Sequence, residues 1–302
     1  MIFQRILSGL RRRYDWYVRI PFAHRIFNNI QILDSIHSIQ YIIDHKCSLS
    51  RFGDGEFYIM LGKGSSFQRP DPALAKRLQQ VLTSKDAPNH SVAIPLPLKN
   101  SSRLRQSSKE FWGYFVIRHG KEILPYLSVE RNYLDTQLSR FYIIYKKREQ
   151  CQHQIALLKQ IWNNKDIVIV EGCLSRTGVG NDLYDNAHSI TRILGPAESA
   201  FSMYDEMLRT ITENVSMDKL ILLSYGMTAT VMAYDLSKLG YWAIDIGHLD
   251  VEYEWYKQGA KKEFVVTGKY TYGINGGNIV DSSGLPPSYQ SQILVDITQR
   301  HA

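Results

Sequence analysis

The feature that most constrains the fold is an alternation of short apolar runs with longer amphipathic segments between residues 166 and 248. Continuous apolar runs of this kind are typical of strands that are buried on both faces of a parallel sheet. Strands that follow one another with single helices between them are joined by right-handed crossovers. The alternation therefore predicts an α/β fold with a Rossmann-like, mostly parallel sheet flanked by helices. The runs are KDIVIVEG, HSITRILGP, DKLILLSYG and YWAIDIGH.

The sequence before residue 166 is consistent with the same architecture. It predicts helices over 29–46, 71–84 and 151–164, short strands in CSLSRF and HSVAIPLPL, and mostly helix across 110–145. The tail at 268–292 is rich in Gly, Ser, Pro and Tyr, which predicts a loop that packs on the domain or closes over a site. No repeat or break in composition marks a second domain, so we expect residues 31–302 to form one domain.

The first 30 residues differ from the rest in charge. They hold six arginines against one aspartate, which is five of the seven net positive charges of the chain. Apolar residues recur at helical spacing beside an arginine triplet, so we expect residues 1–30 to form a basic amphipathic arm, which makes peripheral contact with an anionic membrane through residues 1–13. A solvated arm and an oligomer contact remain alternatives. The apolar positions are Ile2, Phe3, Ile6, Leu7 and Leu10.

Composition disfavours several other classes of protein. No apolar run approaches the roughly 20 residues that a membrane-spanning helix needs, and no segment resembles a signal-peptide cleavage site. The apolar stripe of the arm and the nearly neutral remainder of the chain argue against nucleic acid as a partner. Three cysteines without paired metal spacing argue against a disulfide framework, so we expect a cytoplasmic protein.

Two carboxylates one residue apart, Asp54 and Glu56, lie in SRFGDGEF, where glycines flank the first of them. In an extended segment both side chains would point to the same side and could bind one divalent cation. Gly53 lets the backbone bend and lets a ligand approach closely. Arg51 and Lys63 add positive charge for an anion bound by the metal. The alternative is a solvated acidic turn.

Two glycine-containing loops follow predicted strands, where backbone N–H groups at a helix start favour an anion. The first, SRTGVGNDLYDN, matches neither the dinucleotide fingerprint nor the P-loop, and it contains Arg176, Asn181 and Asp182. The second, SYGMTAT, contains Gly226 and Thr228. We expect both loops to contact a nucleotide. Simple helix capping is the alternative for each.

An acidic cluster follows the last apolar run, in DIGHLDVEYEW. If this segment is extended, four side chains at alternate positions face one side. Such a grouping favours a metal ligand or a general base over a purely structural role. The four are His248, Asp250, Glu252 and Glu254.

Three long segments together resemble the glycosyltransferases of the GT-D fold: SRFGDGEF, RTGVGNDLYDNAHSITRILGPAESAF and SYGMTATVMAYDLSKLGYWAIDIGHLDVEYEW. The resemblance runs from about residue 35 to about residue 275. It implies a single GT-D type domain that takes a hexose from a nucleotide-diphosphate sugar, typically UDP-glucose or a relative. The D-x-E metal motif of the family falls on Asp54 and Glu56, with Mn²⁺ or Mg²⁺ as the expected ion. Met227 departs from the family, which tends to have proline there.

The reaction that the resemblance implies suggests roles for the other candidates. The cation would stabilise the departing diphosphate, with charge added by Arg51, Lys63 or Arg176, and the grouping at 248–254 makes His248 a further candidate metal ligand. From spacing alone, Asp250, Glu252 or Glu254 would deprotonate the acceptor if the reaction inverts the anomeric centre. The acceptor would be a lipid-linked or protein-linked glycan in surface polysaccharide or glycoprotein synthesis. The alternatives are a metal-dependent phosphohydrolase acting on a nucleotide-sugar and a non-catalytic nucleotide-sugar binding protein.

Overall fold

The computed structural model of the protein describes residues 14–64, 68–87, 89–281 and 285–301. Within these residues a nine-stranded sheet has the strand order β1-β4-β3-β2-β8-β7-β5-β6-β9, and every pair of neighbours is parallel. The strands are β1 (Gln31–Ile32), β2 (Ser48–Arg51), β3 (His90–Ile94), β4 (Asn132–Asp135), β5 (Asp166–Gly172), β6 (Ser189–Gly195), β7 (Leu220–Ser224), β8 (Trp242–Asp245) and β9 (Ile293–Asp296).

Helices cover both faces of the sheet and enclose one apolar core, so the predicted α/β fold with a Rossmann-like parallel sheet is confirmed. The helices are α1 (Ile20–His24), α2 (Ser35–His45), α3 (Asp54–Met60), α4 (Pro72–Thr83), α5 (Gln106–Ile123), α6 (Cys151–Trp162), α7 (Tyr204–Asn214), α8 (Gly226–Lys238), α9 (Leu249–Lys257) and α10 (Pro287–Gln292).

Local sequence explains several element boundaries. Helix α4 begins after Asp71, whose carboxylate accepts hydrogen bonds from the N–H groups of Ala73 and Leu74, and proline occupies its first position. Strands β5 and β7 are buried almost throughout, as their continuous apolar runs predict. The strongest patterns in the sequence are therefore those that the structure follows most closely.

Three predicted segments differ from the structure. Helix α5 ends at Ile123 and is followed by β4, so the expectation of helix across 110–145 is wrong for its later part. No helix forms between β5 and β6, where turns connect two parallel strands. The tail predicted as a loop contains α10 and leads into β9. For β4 and β9, tertiary pairing outweighs a weak local pattern, because β4 pairs with β1 and β3, and β9 pairs with β6.

The described half of the N-terminal segment packs on the domain. Ile20 and Phe27 are buried, and Gly113 and Gly120 of α5 leave room for them and for Ile26. Residues 1–13, the part of the arm that is predicted to contact a membrane, lie outside the described residues. In the described ranges no helix is both long enough and apolar enough to cross a lipid bilayer.

The strand order places a topological switch point between β2 and β8. From β2 the sheet continues through β3 and β4 to one edge, and from β8 it continues through β7 and β5 to the other. In open parallel sheets the loops beyond such a point diverge and leave a crevice for a ligand. The sequences that follow these two strands contain the predicted acidic pair and the predicted acidic cluster.

Candidate active site

A cavity of about 810 Å³ opens beyond the carboxyl ends of the strands. Because all the strands run parallel, loops that are distant in sequence meet at this edge. The cavity gathers seven of the residues predicted from the sequence, from three separate segments. They are Arg51, Gly53, Asp54, Glu56, Gly226, His248 and Asp250.

The acidic pair opens a helix instead of lying in an extended segment. Helix α3 begins at Asp54 with Gly53 as its N-cap, and Oε2 of Glu56 accepts a hydrogen bond of 2.6 Å from the Gly53 N–H. The expectation of an extended pair is therefore wrong. Carboxylates in the first turn are favoured by the unpaired N–H groups and the dipole of the helix. Both side chains nevertheless line the cavity.

Burial raises the pKa of both carboxylates of this pair. Removal from water raises the pKa of Asp54, against an opposing effect of Arg140. Burial and repulsion from Asp245 raise the pKa of Glu56 to about 7, although the Gly53 N–H and Arg51 favour the charged form. In the part of the chain that the structure describes, neither carboxylate forms an ion pair with lysine or arginine. Two partly buried acids without a cationic partner favour a positively charged ligand.

His248 lines the same cavity and is kept neutral. Its ring stacks on Tyr272 with the centroids 5.4 Å apart. Burial first, and then the charges of Arg140 and Arg51, lower its pKa to about 3. A neutral imidazole can accept a proton or bind a metal, whereas an imidazolium can do neither.

The donor set fits a hard cation that is completed by a ligand. Among the described residues no three His, Cys, Asp or Glu side chains form a ready-made metal site. Mg²⁺ usually binds through one or two carboxylates and fills its other positions with water and substrate phosphates. Asp54 and Glu56, which lack a cationic partner, match that arrangement.

Arg51 joins the elements that form the cavity. Its Nε donates to Oδ1 of Asp245 at 3.3 Å, and its Nη1 donates to Oγ of Ser139 at 2.6 Å and to the carbonyl of Thr136. The guanidinium also packs on Gly247, where an added Cβ would lie 1.7 Å from Nη2. The sequence indicates an anion contact here, whereas most of the donors of Arg51 are used within the protein.

Several predicted nucleotide contacts lie outside the cavity. Lys63 contacts His119, and Asp182 forms surface ion pairs with two lysines. Thr228 is fully buried in α8. Their local motifs are present, but none of these three side chains lines the cavity.

Arg176 holds the tail. Its backbone adopts a positive φ of 49°, and its buried Nη1 donates to the carbonyls of Gly268 and Asp281 at 2.9 and 2.8 Å. The segment between these carbonyls supplies Tyr270 and Tyr272 to the cavity wall. The prediction that the tail closes over a site is consistent with this arrangement.

The second acidic cluster is helical, because α9 begins at Leu249, so the expected extended segment is wrong. One turn apart, Asp250 and Glu254 share two partners. Nδ2 of Asn181 donates to both at 2.7 Å, and Nζ of Lys269 lies 2.6 Å from Asp250 and 3.3 Å from Glu254. Of the two acids, only Asp250 lines the cavity.

Glu252 lies on another side of α9 and is completely buried. Its Oε1 accepts hydrogen bonds from the N–H groups of Tyr142 and Ile143 at 2.8 and 2.6 Å. Its Oε2 lies 3.4 Å from Nε of Arg140. A helix turns by about 100° per residue, so within α9 the side chains of Asp250 and Glu252 point in directions about 200° apart, unlike alternate residues of a strand. Glu252 is therefore separated from Asp250 and from the cavity.

Sequence reasoning missed four residues of the site region: Arg140, Asp245, Lys269 and Tyr272. Asp245 carries a detectable signal, because it is a lone carboxylate at the end of an apolar strand. Arg140 lies in a span that we predicted as helix, and Lys269 and Tyr272 lie in a tail without periodicity. Their places depend on contacts between distant segments, which no local pattern encodes.

Comparison with known proteins identifies the family. The family described as "Glycosyltransferase GT-D fold" matches residues 49–273. The chain belongs to this GT-D glycosyltransferase family. The match includes every cavity residue predicted from the sequence, from Arg51 to Asp250.

Two curated relatives of this GT-D glycosyltransferase are streptococcal. "Probable glycosyl transferase Gly" of Streptococcus gordonii is 34% identical over 272 residues, which cover 89% of this chain and 39% of that protein. "Glycosyltransferase GlyD" of Streptococcus pneumoniae serotype 4 is 36% identical over 268 residues, or 89% of this chain and 33% of that protein. The chain thus spans well under half the length of these relatives.

Solved structures share the GT-D fold over their whole length. One, described as "The highly conserved domain of unknown function 1792 has a distinct glycosyltransferase fold", superposes with a TM-score of 0.86 at 37% identity, covering 91% of this chain and 98% of its own. Another, described as a new glycosyltransferase from Streptococcus sanguinis, gives 0.84 at 33% identity, covering 88% and 99%. Each superposition therefore covers almost the whole of the solved chain.

Substitution of Gly247 tests whether turnover depends on the position of the Arg51 guanidinium. In Gly247→Ala the new methyl group must displace the guanidinium, and we expect turnover to fall by about 100-fold, because displacements of about 1 Å at a catalytic site have effects of this size. Turnover of a nucleotide-sugar donor is the measurement.

Gly259→Ala is the matched control. Gly259 also has a positive φ, so both variants carry a backbone strain of roughly 1–2 kcal/mol, but no atom lies within 4 Å of the added Cβ at Gly259. Equal turnover in the two variants would show that the position of Arg51 does not matter.

Proposed function

We propose that this GT-D domain transfers a hexose from a nucleotide-diphosphate sugar to a glycan acceptor in a metal-dependent reaction. A UDP-sugar such as UDP-glucose is the proposed donor. The observation that carries the proposal is the pair Asp54 and Glu56, which opens a helix at the switch point of the sheet and has no cationic partner among the described residues. Membership of a glycosyltransferase family supports the same reaction class.

Asp54 and Glu56 would hold Mn²⁺ or Mg²⁺, and neutral His248 is a further candidate ligand. When bound, the ion supplies positive charge to the diphosphate as it leaves the sugar. Burial raises the pKa of Glu56 to about 7 when no metal ion lies beside it. Both carboxylates contribute to catalysis by fixing the position of that charge before the reaction begins.

Asp250 is the candidate general base for an inverting reaction. Of the three acids predicted on this segment, it is the one that lines the cavity. Asn181 and Lys269 fix both of its oxygens, so its orientation is set before an acceptor binds. It would take the proton of the acceptor hydroxyl as that oxygen attacks the sugar.

The donor and the metal are tested together. Binding and turnover are measured for UDP-, GDP- and CDP-sugars with and without Mn²⁺, in the wild type and in Asp54→Asn and Glu56→Gln. We expect metal-dependent binding of one donor and a loss of at least about 100-fold in both variants, since each removes one negatively charged oxygen donor.

Exposed Asp44→Asn is the charge-matched control and should leave binding unchanged. Release of free sugar at the same rate with and without any acceptor would favour the phosphohydrolase alternative. Tight donor binding without turnover would favour the non-catalytic alternative. Absence of nucleotide binding with every metal tested would contradict the proposal.

Asp250→Asn tests the base. We expect transfer to fall by about 10²–10⁴-fold while donor binding stays within a few-fold, because only proton transfer is removed. Glu254→Gln shares the same Asn181 and Lys269 partners but lies outside the cavity wall, so its transfer rate should stay within a few-fold. If Asp250→Asn transfers sugar as well as Glu254→Gln does, the base is another group.

An exposed apolar stripe supports the proposed membrane contact at the cytoplasmic face. Four large apolar side chains between residues 14 and 22 are exposed, at spacings that place them along one side of helical backbone. The arginine-rich segment 1–13 directly precedes them. Aromatic side chains beside basic residues favour the interface of an anionic bilayer. The stripe consists of Tyr14, Tyr17, Val18 and Phe22, and we propose that it brings the cavity to a lipid-linked acceptor.

Sedimentation with vesicles of phosphatidylglycerol and phosphatidylcholine in equal parts tests this contact. We expect Tyr17→Ser combined with Phe22→Ser to weaken binding by about tenfold or more, because two apolar contacts are lost. Deletion of residues 1–13 should weaken it further. Ile279→Ser, at an exposed apolar residue elsewhere, is the control. Unchanged sedimentation of both altered proteins would exclude the membrane contact.

A further inference from the structure

We propose that Arg140 binds the diphosphate of the donor, and that buried Glu252 is a positioning residue that holds Arg140 at the cavity wall. This inference rests on the proposed function and extends it. No residue-level motif in the sequence indicates either role, and the sequence instead suggests Glu252 as a base. Both roles follow from the different partners of the cationic side chains in the cavity.

Three arginines line the cavity among the described residues, and two of them are committed to protein partners. Arg51 is bound by Asp245, Ser139 and a backbone carbonyl. Arg105 forms an ion pair of 2.8 Å with Glu263. Each of these guanidinium groups therefore has much of its charge and hydrogen-bonding capacity satisfied within the protein.

Arg140 is partnered on one side only. Its Nε lies 3.4 Å from Oε2 of Glu252, and its guanidinium lies over the ring of Trp255, 5.7 Å from the centroid. Within the described chain its terminal Nη groups form no hydrogen bond with protein. The side chain is 28% exposed and lines the cavity. Two adjacent Nη groups thus remain available to a ligand.

The contacts of Glu252 explain why it suits a positioning role. Two backbone N–H groups fix Oε1, and the side chain is wholly buried, so the carboxylate cannot change its direction. Its Oε2 is buried without a hydrogen bond and faces Arg140. A buried carboxylate beside a single guanidinium holds that group strongly, because separation would leave an unpaired buried charge.

Arg140 faces the same cavity as the other site residues. Asp54, Glu56 and His248 line this cavity together with Arg140. A metal ion held by the acids and the guanidinium of Arg140 would therefore meet the same diphosphate.

The chemistry of the leaving group favours arginine at this position. As the bond between the anomeric carbon and the diphosphate oxygen breaks, its electron pair stays on that oxygen. The new bond forms to the acceptor oxygen, whose proton goes to the base. A guanidinium with two free N–H donors can bind two phosphate oxygens at once and stabilise the charge that develops there.

Nucleotide binding tests this assignment. Calorimetry with Mn²⁺ compares UDP, GDP and CDP with their nucleosides, in the wild type and in Arg140→Gln, Arg140→Lys and Arg105→Gln. We expect Arg140→Gln to weaken binding of the preferred diphosphate by about 10–100-fold, as for the loss of charged hydrogen bonds, and to leave the nucleoside unaffected. Arg140→Lys should show a smaller loss. Arg105→Gln should bind within a few-fold of the wild type.

A double-mutant cycle tests Glu252. We expect Glu252→Gln to weaken diphosphate binding through Arg140, so that Glu252→Gln with Arg140→Gln binds no more weakly than Arg140→Gln alone. Losses that add would show that Glu252 does not act through Arg140. Thermal unfolding of each variant separates this effect from a loss of folded protein.

The outcomes distinguish this inference from the proposed function. If the wild type binds a diphosphate with metal and Arg140→Gln binds it equally well, the role of Arg140 is wrong while the transferase proposal stands. If the wild type binds none of the three diphosphates, both are wrong.

Discussion

The site depends on one buried interaction, the contact of Arg51 with Asp245. It joins the ends of β2 and β8, which lie next to each other at the switch point of the sheet although their residues are 194 positions apart. The same guanidinium reaches Ser139 beyond β4 and packs on Gly247. The loops that carry the acidic pair, Arg140 and His248 all start from these anchored points. Because these loops start from anchored points, the side chains that surround a ligand keep fixed positions relative to one another.

A second constraint is the concentration of buried charge around this contact. Glu56, Asp245 and Glu252 all have raised pKa values because burial disfavours their charged forms. Asp245 and Glu252 are compensated by Arg51 and Arg140, whereas the acidic pair at α3 is not. Buried carboxylates without a partner are usual at functional sites and rare elsewhere, because they reduce stability. The carboxylates that are paired with an arginine therefore build the site, whereas the unpaired acidic pair is available to a ligand.

Family membership and site geometry answer different questions about this protein. The family match and the structural likeness establish the glycosyltransferase fold. They do not distinguish Asp250 from Glu252, which lie two residues apart in the same motif. The helix does, because it directs one toward the cavity beside Lys269 and the other toward the backbone of Tyr142 and Ile143.

The sequence by itself determined the class of fold, the central strands and the acidic pair. Apolar periodicity and glycine placement are local properties, and the runs at β5, β7 and β8 show them clearly. Only the tertiary structure decided that both acidic segments are helical, that β4 and β9 are strands, and that Arg140, Lys269 and Tyr272 belong to the site region. These features arise from pairing between segments far apart in the chain, and the free energy that selects them comes from burial and ion pairing that no short stretch contains.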